Sequence, residues 1–140
     1  MSALRSRAPS EAQIGALFEP LGRARTLLIA VSGGPDSTAL LLMAAEWARR
    51  RGRTRIEAAT VDHGLRPESA DEAKAVASLC VRLGVAHRIL PWKGAKPASR
   101  LQERAREARY RLLVDHANAI GADALLTAHH ADDQDRKSVV

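Results

Sequence analysis

Apolar positions along the chain follow two different periods. Unbroken runs that read as buried strands occur at Leu27 to Val31, at Arg55 to Val61 (Ile56, Ala58, Ala59, Thr60, Val61), at Val85 to Leu90 and at Ala124 to Thr127. Between them the apolar residues recur at helical spacing. Ile14, Leu17 and Phe18 predict a short helix, which Pro20 and Gly22 end. Leu40, Leu41, Leu42, Met43, Trp47 and Ala48 predict a helix from near Asp36 that is apolar on most of its surface and packed closely on a sheet. Ala73, Val76, Ala77, Cys80 and Leu83 form the stripe of a third helix, capped by Gly84. Leu101, Ala105, Ala108 and Leu112 form the stripe of a long fourth helix ending near Gly121. The pairs Ser10/Gln13, Ser69/Glu72 and Ser99/Gln102 predict capping boxes at the first, third and fourth helices.

Strands alternating with helices at these separations predict an α/β fold, a parallel sheet with helices on both faces. In such sheets ligands sit beyond the carboxyl ends of the strands. All four predicted strands run into polar segments: SGGPDS, DHGLR, PWKG and HHADDQ. One shared site accounts for this more simply than four accidents.

Composition sets the scale. A chain of 140 residues, 46% hydrophobic, buries one core, and with 3% aromatic residues that core must be built of Leu, Val and Ala. No stretch approaches the roughly 20 apolar residues of a membrane span, and the N-terminus lacks a secretory pattern. The single cysteine, Cys80, excludes an internal disulfide and points to a reducing, cytoplasmic setting. The net charge of +6, mostly arginine, fits a nucleic-acid or polyphosphate partner and equally fits solvated helix faces.

The first polar segment carries the most chemistry. A strand feeding a Gly-rich turn and then a helix makes an anion cradle, because Gly33 and Gly34 let backbone approach a phosphate and the first-turn N–H groups point at it. Ser32, Pro35 and Ser37 complete the cradle, with the two hydroxyls as added donors. The lysine of the common phosphate loop is absent. SGGxDS instead resembles the loop of the ATP pyrophosphatases, which split ATP between the α and β phosphates. An Asp beside phosphates is costly without an intervening cation, so Asp36 is expected to bind magnesium.

The resemblance extends further. VDHGLR at 61–66, ARYRLL at 108–113 and TAHHADDQ at 127–134 look like the motifs of the tRNA(Ile)-lysidine synthetase family, in that order. It implies a Rossmann-like adenine nucleotide alpha hydrolase fold, C-terminally truncated. The implied activity is ligation of lysine to C2 of the wobble cytidine of tRNA(Ile) with a CAU anticodon, through an adenylated tRNA. The implied cofactors are ATP and magnesium, the partners tRNA(Ile), lysine and a second copy of the full-length chain. On this reading Asp36 and Asp133 hold the cation, and Asp36, Asp133, His129, Arg109 and Arg111 serve catalysis, the arginines neutralising charge on the adenylate. Ser32 to Ser37 bind nucleotide together with Asp62, His63 and Arg66. From the residues alone, Asp62 and His63 can equally end a strand, and Arg66 can be a surface charge. Of His129 and His130, one is expected to be structural and the other to contact ATP or the activated base. Arg100, Arg104 and Arg106 are left between a solvated face and an RNA contact. Another pyrophosphate-loop enzyme, a tRNA thiolase or an amide-forming synthetase, and an inactive nucleotide-binding fragment are the alternatives.

After Gln134 the family continues with an Ala-Glu-Thr type sequence, whereas this chain reads DRKSVV. Those six residues match what GAT CGG AAG AGC GTC GTG, the read-through of a common sequencing adapter, would encode. The expectation is a partial ATP-pyrophosphatase catalytic domain over 1–134 and a non-native tail over 135–140. A further expectation is that the sheet edge beside the fourth strand lies unpaired and that apolar helix surface is uncovered.

Overall fold

The run at 27–31 forms the centre of a sheet. In the computed structural model, which describes residues 10–65, 67–93, 99–128 and 137–138, the elements in chain order are α1 (Glu11–Phe18), a 3₁₀ turn (Glu19–Leu21), β1 (Thr26–Ala30), α2 (Pro35–Arg51), β2 (Arg55–Asp62), α3 (Glu68–Leu83), β3 (Ala86–Pro91), α4 (Leu101–Ile120), β4 (Ala124–Leu126) and β5 (Lys137–Ser138). The sheet order is β3-β2-β1-β4-β5. Strands β1 to β4 are mutually parallel, with Leu27 opposite Ile56 on one side and Ala124 on the other.

Chain direction across the sheet reverses once. Steps from β1 to β2 to β3 go one way, and the return to β4 goes the other, so right-handed crossovers place α2 and α3 on one face and α4 on the opposite face. The two cores agree. Leu27, Ile29, Val31, Ile56 and Ala58 pack with Phe18, Leu41, Ala44, Trp47, Val76 and Cys80. On the other face Leu28, Ala59 and Leu125 pack with Leu113 and Ala117 of α4. Alternate residues of β1 thus serve opposite faces, which is why the whole run must be apolar. The reversal puts a switch point between β1 and β4, where the loops after the two strands part and leave a crevice.

At the amino-terminal edge of the strands, hydrogen bonds lock the chain. The Asp123 carboxylate accepts from the N–H groups of Arg25 (2.8 Å) and Thr26 (3.1 Å), which hold its pKa below the usual carboxylate value. Asp123 N–H in turn donates to Thr26 O, Arg55 N–H to Arg25 O and Thr54 Oγ1 to Ala24 O. Arg51 donates to Gly22 O and stacks 4.8 Å over Trp47, which itself stacks on Phe18.

Several expectations need correction. The capping box at Ser10 and Gln13 is present on α1, but those at Ser69 and Ser99 do not form. Helix α3 starts at Glu68 after Pro67, and α4 starts at Leu101 after Arg100, whose φ is 54°. Leu42 is 43% exposed, so α2 is less enveloped than its composition implied. The outer edge of β4 is not bare: β5 pairs antiparallel to it, Leu125 opposite Ser138 and Leu126 opposite Lys137. An open edge offers N–H and C=O groups to any extended segment, whatever its sequence.

None of the four residues of the expected apolar stripe of α4 is fully buried, and the helix buries two others instead. Leu113 and Ala117 are buried, whereas Leu101, Ala105, Ala108 and Leu112 are half-buried. Length explains this: 20 residues of helix reach about 30 Å at ~1.5 Å per residue, against roughly 17 Å for the five residues of β1 at ~3.3 Å each. Helix α4 precedes β4 and runs against the strand direction, so its first turns overshoot the sheet on the carboxyl side.

Candidate functional site

The turn between β1 and α2 is braced by its own serines. Ser32 N–H donates to Ser37 Oγ (2.9 Å), the two hydroxyls lie 3.1 Å apart, and Gly34 N–H reaches Ser32 Oγ at 3.3 Å. Ser37 Oγ also lies 3.4 Å from Gly34 O, and Ser37 is buried. The hydroxyls expected as direct donors to a ligand therefore first shape the loop. Gly33 has φ 97°, a conformation other residues rarely adopt, and a Cβ there would stand 3.5 Å from Glu72 Cβ. Gly34 is the N-cap of α2 and Pro35 its first residue, a position where the missing N–H costs nothing. The first helical bond from this turn runs from Thr38 N–H to Gly34 O (3.1 Å). The N–H groups of Asp36 and Ser37 precede it and remain at the helix mouth, where an anion is favoured. Asp36 is exposed on the first turn.

Strand β2 continues past the end of β1. Ala59 lies opposite Ala30, and Val31 N–H still reaches Ala59 O (2.9 Å), so Thr60, Val61 and Asp62 extend beyond the β1 loop's take-off point. There the chain folds back on its own side chains. Asp62 Oδ1 accepts from Gly64 N–H (3.1 Å) and from Ser69 Oγ (2.6 Å), and His63 Nδ1 accepts from Leu65 N–H (3.0 Å). The last bond leaves the proton of a neutral His63 ring on Nε2, free to donate. Trp92 N–H donates to Asp62 O (3.0 Å), which brings the start of the loop after β3 to the same rim.

The overshooting turns of α4 flank this rim on the other face of the sheet. They carry Arg104, Arg106, Arg109 and Arg111, all exposed, and Tyr110, 48% exposed. Of the expected site residues, the structure thus brings Ser32, Gly33, Gly34, Pro35, Asp36, Ser37, Asp62 and His63 to the carboxyl edge. Arg109 and Arg111 lie on the helix beside it. Arg66, His129, His130 and Asp133 lie outside the described residues. Ser69, Glu72 and Val76 were missed as site-shaping residues. The sequence signal is partial: Ser69 follows Asp62 by seven residues, but the same serine also matches a helix-capping pattern.

Other titratable groups mark where chemistry is absent. Cys80 is fully buried and burial pushes its thiol pKa up, so it is a core residue rather than a nucleophile. A concavity of about 680 Å³ lined by Gly22, Arg23, Ala24, Arg25 and Arg53 opens at the opposite edge. It offers positive charge but neither a carboxylate nor a helix mouth. Among the described residues no three His, Cys, Asp or Glu side chains are grouped as a metal site, and no helix is long and apolar enough to cross a membrane.

Comparison with known proteins agrees with this geometry. The chain is 61% identical over 113 residues to a tRNA(Ile)-lysidine synthase of Methylobacterium nodulans, a match covering 81% of this chain and 32% of that protein. It is 54% identical over 119 residues to the tRNA(Ile)-lysidine synthase of Bradyrhizobium diazoefficiens, covering 84% and 33%. The chain therefore spans about a third of the length of these relatives. Among solved structures, the U34-tRNA thiolase NcsA from Methanococcus maripaludis with its 4Fe–4S cluster superposes with a TM-score of 0.75 at 20% identity, over 86% of this chain and 45% of that one. The NH3-dependent NAD synthetase from Campylobacter jejuni superposes at 0.61 and 14% identity, over 84% and 52%. At such identities the likeness concerns the fold. A model of the PP-loop domain matches residues 7–139, and with the Ser/Gly loop standing at the mouth of α2 the chain belongs to the PP-loop domain family.

Proposed function

We propose that this chain is the nucleotide-binding part of a tRNA(Ile)-lysidine synthase, a cytoplasmic enzyme that joins lysine to C2 of the wobble cytidine in a CAU anticodon. The observation that carries the reading is the serine-braced loop at 32–37, which holds unpaired N–H groups and the Asp36 carboxylate at one helix mouth. The name of the relatives, tRNA(Ile)-lysidine synthase, supports tRNA(Ile) as the substrate.

The chemistry needs such a loop. The C2 oxygen of cytosine is a poor leaving group, so AMP is first transferred to it from ATP, and the α–β phosphate bond breaks to release pyrophosphate. An amine of lysine then attacks C2, and AMP departs with the oxygen. Ser32 to Ser37 would hold the pyrophosphate end of ATP, while the turn at Asp62 and His63, with Arg66, would take the nucleoside end. Magnesium, when bound, would supply positive charge to offset that of the phosphates, and one or two carboxylates suffice to hold it. Exposed Asp36 fits that role, with Asp133 as the second. Arg109 and Arg111 would neutralise the adenylate, and His129 would contact ATP or the activated base. The base must be unstacked to enter. The full-length protein is expected to pair as a homodimer, and residues 135–140 are expected to be a non-native tail.

A thiolase reading draws only on the fold. Thiolases of this type move sulfur through paired cysteines or an iron–sulfur cluster, and Cys80, the chain's only cysteine, is sealed in the core.

The test uses the full-length parent with ATP, magnesium, lysine and tRNA(Ile). Lysine-dependent labelling of tRNA with release of pyrophosphate is expected, and Asp36→Ala should lower the rate at least ~100-fold, as for other groups that stabilise transferred charge. ATP bound without turnover, or sulfur incorporation instead, rejects the assignment.

A further inference from the structure

Resting on the nucleotide assignment above, we propose that α3 is a strut that sets the distance between the two nucleotide loops, with Ser69 as its positioning residue. The helix touches both loops with one face. At its first turn Ser69 Oγ donates to Asp62 Oδ1 at 2.6 Å, and Ser69 is only 5% exposed, so water competes little for this charge-assisted bond. The same Asp62 oxygen accepts the Gly64 N–H that closes the DHG turn. Farther along α3, Glu72 Cβ and Val76 Cγ2 lie 3.5 and 3.9 Å from the position of a Gly33 Cβ. Ser69, Glu72 and Val76 are three, then four, residues apart and share one helical face.

Buried Ala73, Val76 and Cys80 anchor that face to the sheet, so the helix is a rigid spacer. The Ser/Gly loop leans on its second and third turns, and the DHG turn is tied to its first. ATP spans both loops and reads their separation. Inorganic pyrophosphate needs only the Ser/Gly loop and does not. Ser69 itself touches no nucleotide in this scheme. It acts through Asp62.

The experiment is calorimetric titration of the chain with ATP and, separately, with inorganic pyrophosphate, both in one magnesium buffer. For Ser69→Ala the expected result is roughly tenfold weaker ATP binding, about 1.4 kcal/mol, with pyrophosphate affinity changed less than about twofold, since one hydrogen bond to a charged group is lost away from the phosphate loop. Retained pyrophosphate binding reports that the variant is folded. If Ser69→Ala does not fold, Ser69→Cys, similar in size and a weak donor, is expected to show the same split. Equal losses for both ligands, or no loss for either, overturn the strut while leaving the nucleotide assignment standing. No ATP binding by the unaltered chain overturns both.

Discussion

The two edges of the sheet spend their backbone polar groups in opposite ways. At the amino-terminal edge Asp123 takes the N–H groups of Arg25 and Thr26, Arg55 N–H takes Arg25 O, and Thr54 takes Ala24 O. These backbone groups are paired with one another or with the side chains of Asp123 and Thr54. At the carboxyl edge the side chains of Ser32, Ser37, Asp62 and His63 bond within their own loops, and the N–H groups at the mouth of α2 stay open. Internal hydrogen bonding at this edge fixes the shape of a cradle, whereas at the other it closes the structure. Polar residues are dense at both edges, so density alone does not tell a site from a clamp. What distinguishes them is where the remaining donors point.

Substitutions at the two edges should therefore separate binding from stability. The largest effect on stability is expected for Gly33→Ala. At φ 97° a side chain is strained, although its Cβ would meet Glu72 and Val76 only at ordinary contact distance, 3.5 and 3.9 Å. A stability loss of about 1–3 kcal/mol is expected from the backbone strain, together with at least ~10-fold weaker ATP binding as the loop backbone leaves its positive φ. Urea denaturation and calorimetry measure the two. Unchanged ATP affinity would show that the loop is not the cradle. Next comes Asp123→Ala. It removes the acceptor of two N–H groups, but the site is exposed and water replaces part of the loss, so about 1 kcal/mol of stability is expected to go. ATP affinity should stay the same. A fall in affinity would mean that the edges are coupled and the contrast is wrong.

Much of this was legible along the chain because it is local. The strand at 27–31, the glycine cap at Gly84 and the turn from Ser32 to Ser37 depend on residues within a few positions of one another, and each formed as expected. The failures share a cause. Ser69 matches a capping pattern, but Asp62 competes for its hydroxyl across a turn, and α3 begins two residues before a helix capped by Ser69 would. Ser99 matches the same pattern, and the left-handed Arg100 interrupts it. The stripe of α4 has the spacing of a core face throughout, although periodicity cannot tell how far a helix outruns the strands beneath it. Likewise Leu42 fits an apolar helix and lies exposed, because exposure depends on neighbours the helix does not encode. The site was legible at its Ser/Gly loop and as a set of strand-end segments. Its internal wiring, Asp62 to Ser69 and Gly33 to Glu72, was not, since it links elements through tertiary packing.

The smallest expected effect concerns pH and sharpens the same contrast. His87 on β3 lies between the edges, half-buried, with Nε2 2.8 Å from Thr60 Oγ1, and burial lowers its pKa from about 6.5. A group whose folded pKa is depressed binds fewer protons folded than unfolded. Its stabilising influence is therefore complete above about pH 6.5 and declines as pH falls from there through the folded pKa. Asp123 follows the same sign lower on the scale: its clamp is fully effective above the ordinary carboxylate value of 3.8 and is lost as pH falls through the depressed one. Urea midpoints should thus fall in two separate steps on acidification. Replacing His87 with Gln is expected to remove the upper step and leave the lower, and Asp123→Ala the reverse. If a single step vanished in both variants, the strand interior and the amino-terminal edge would be one titrating unit, and the division of the sheet into a closing edge and a binding edge would have to be redrawn.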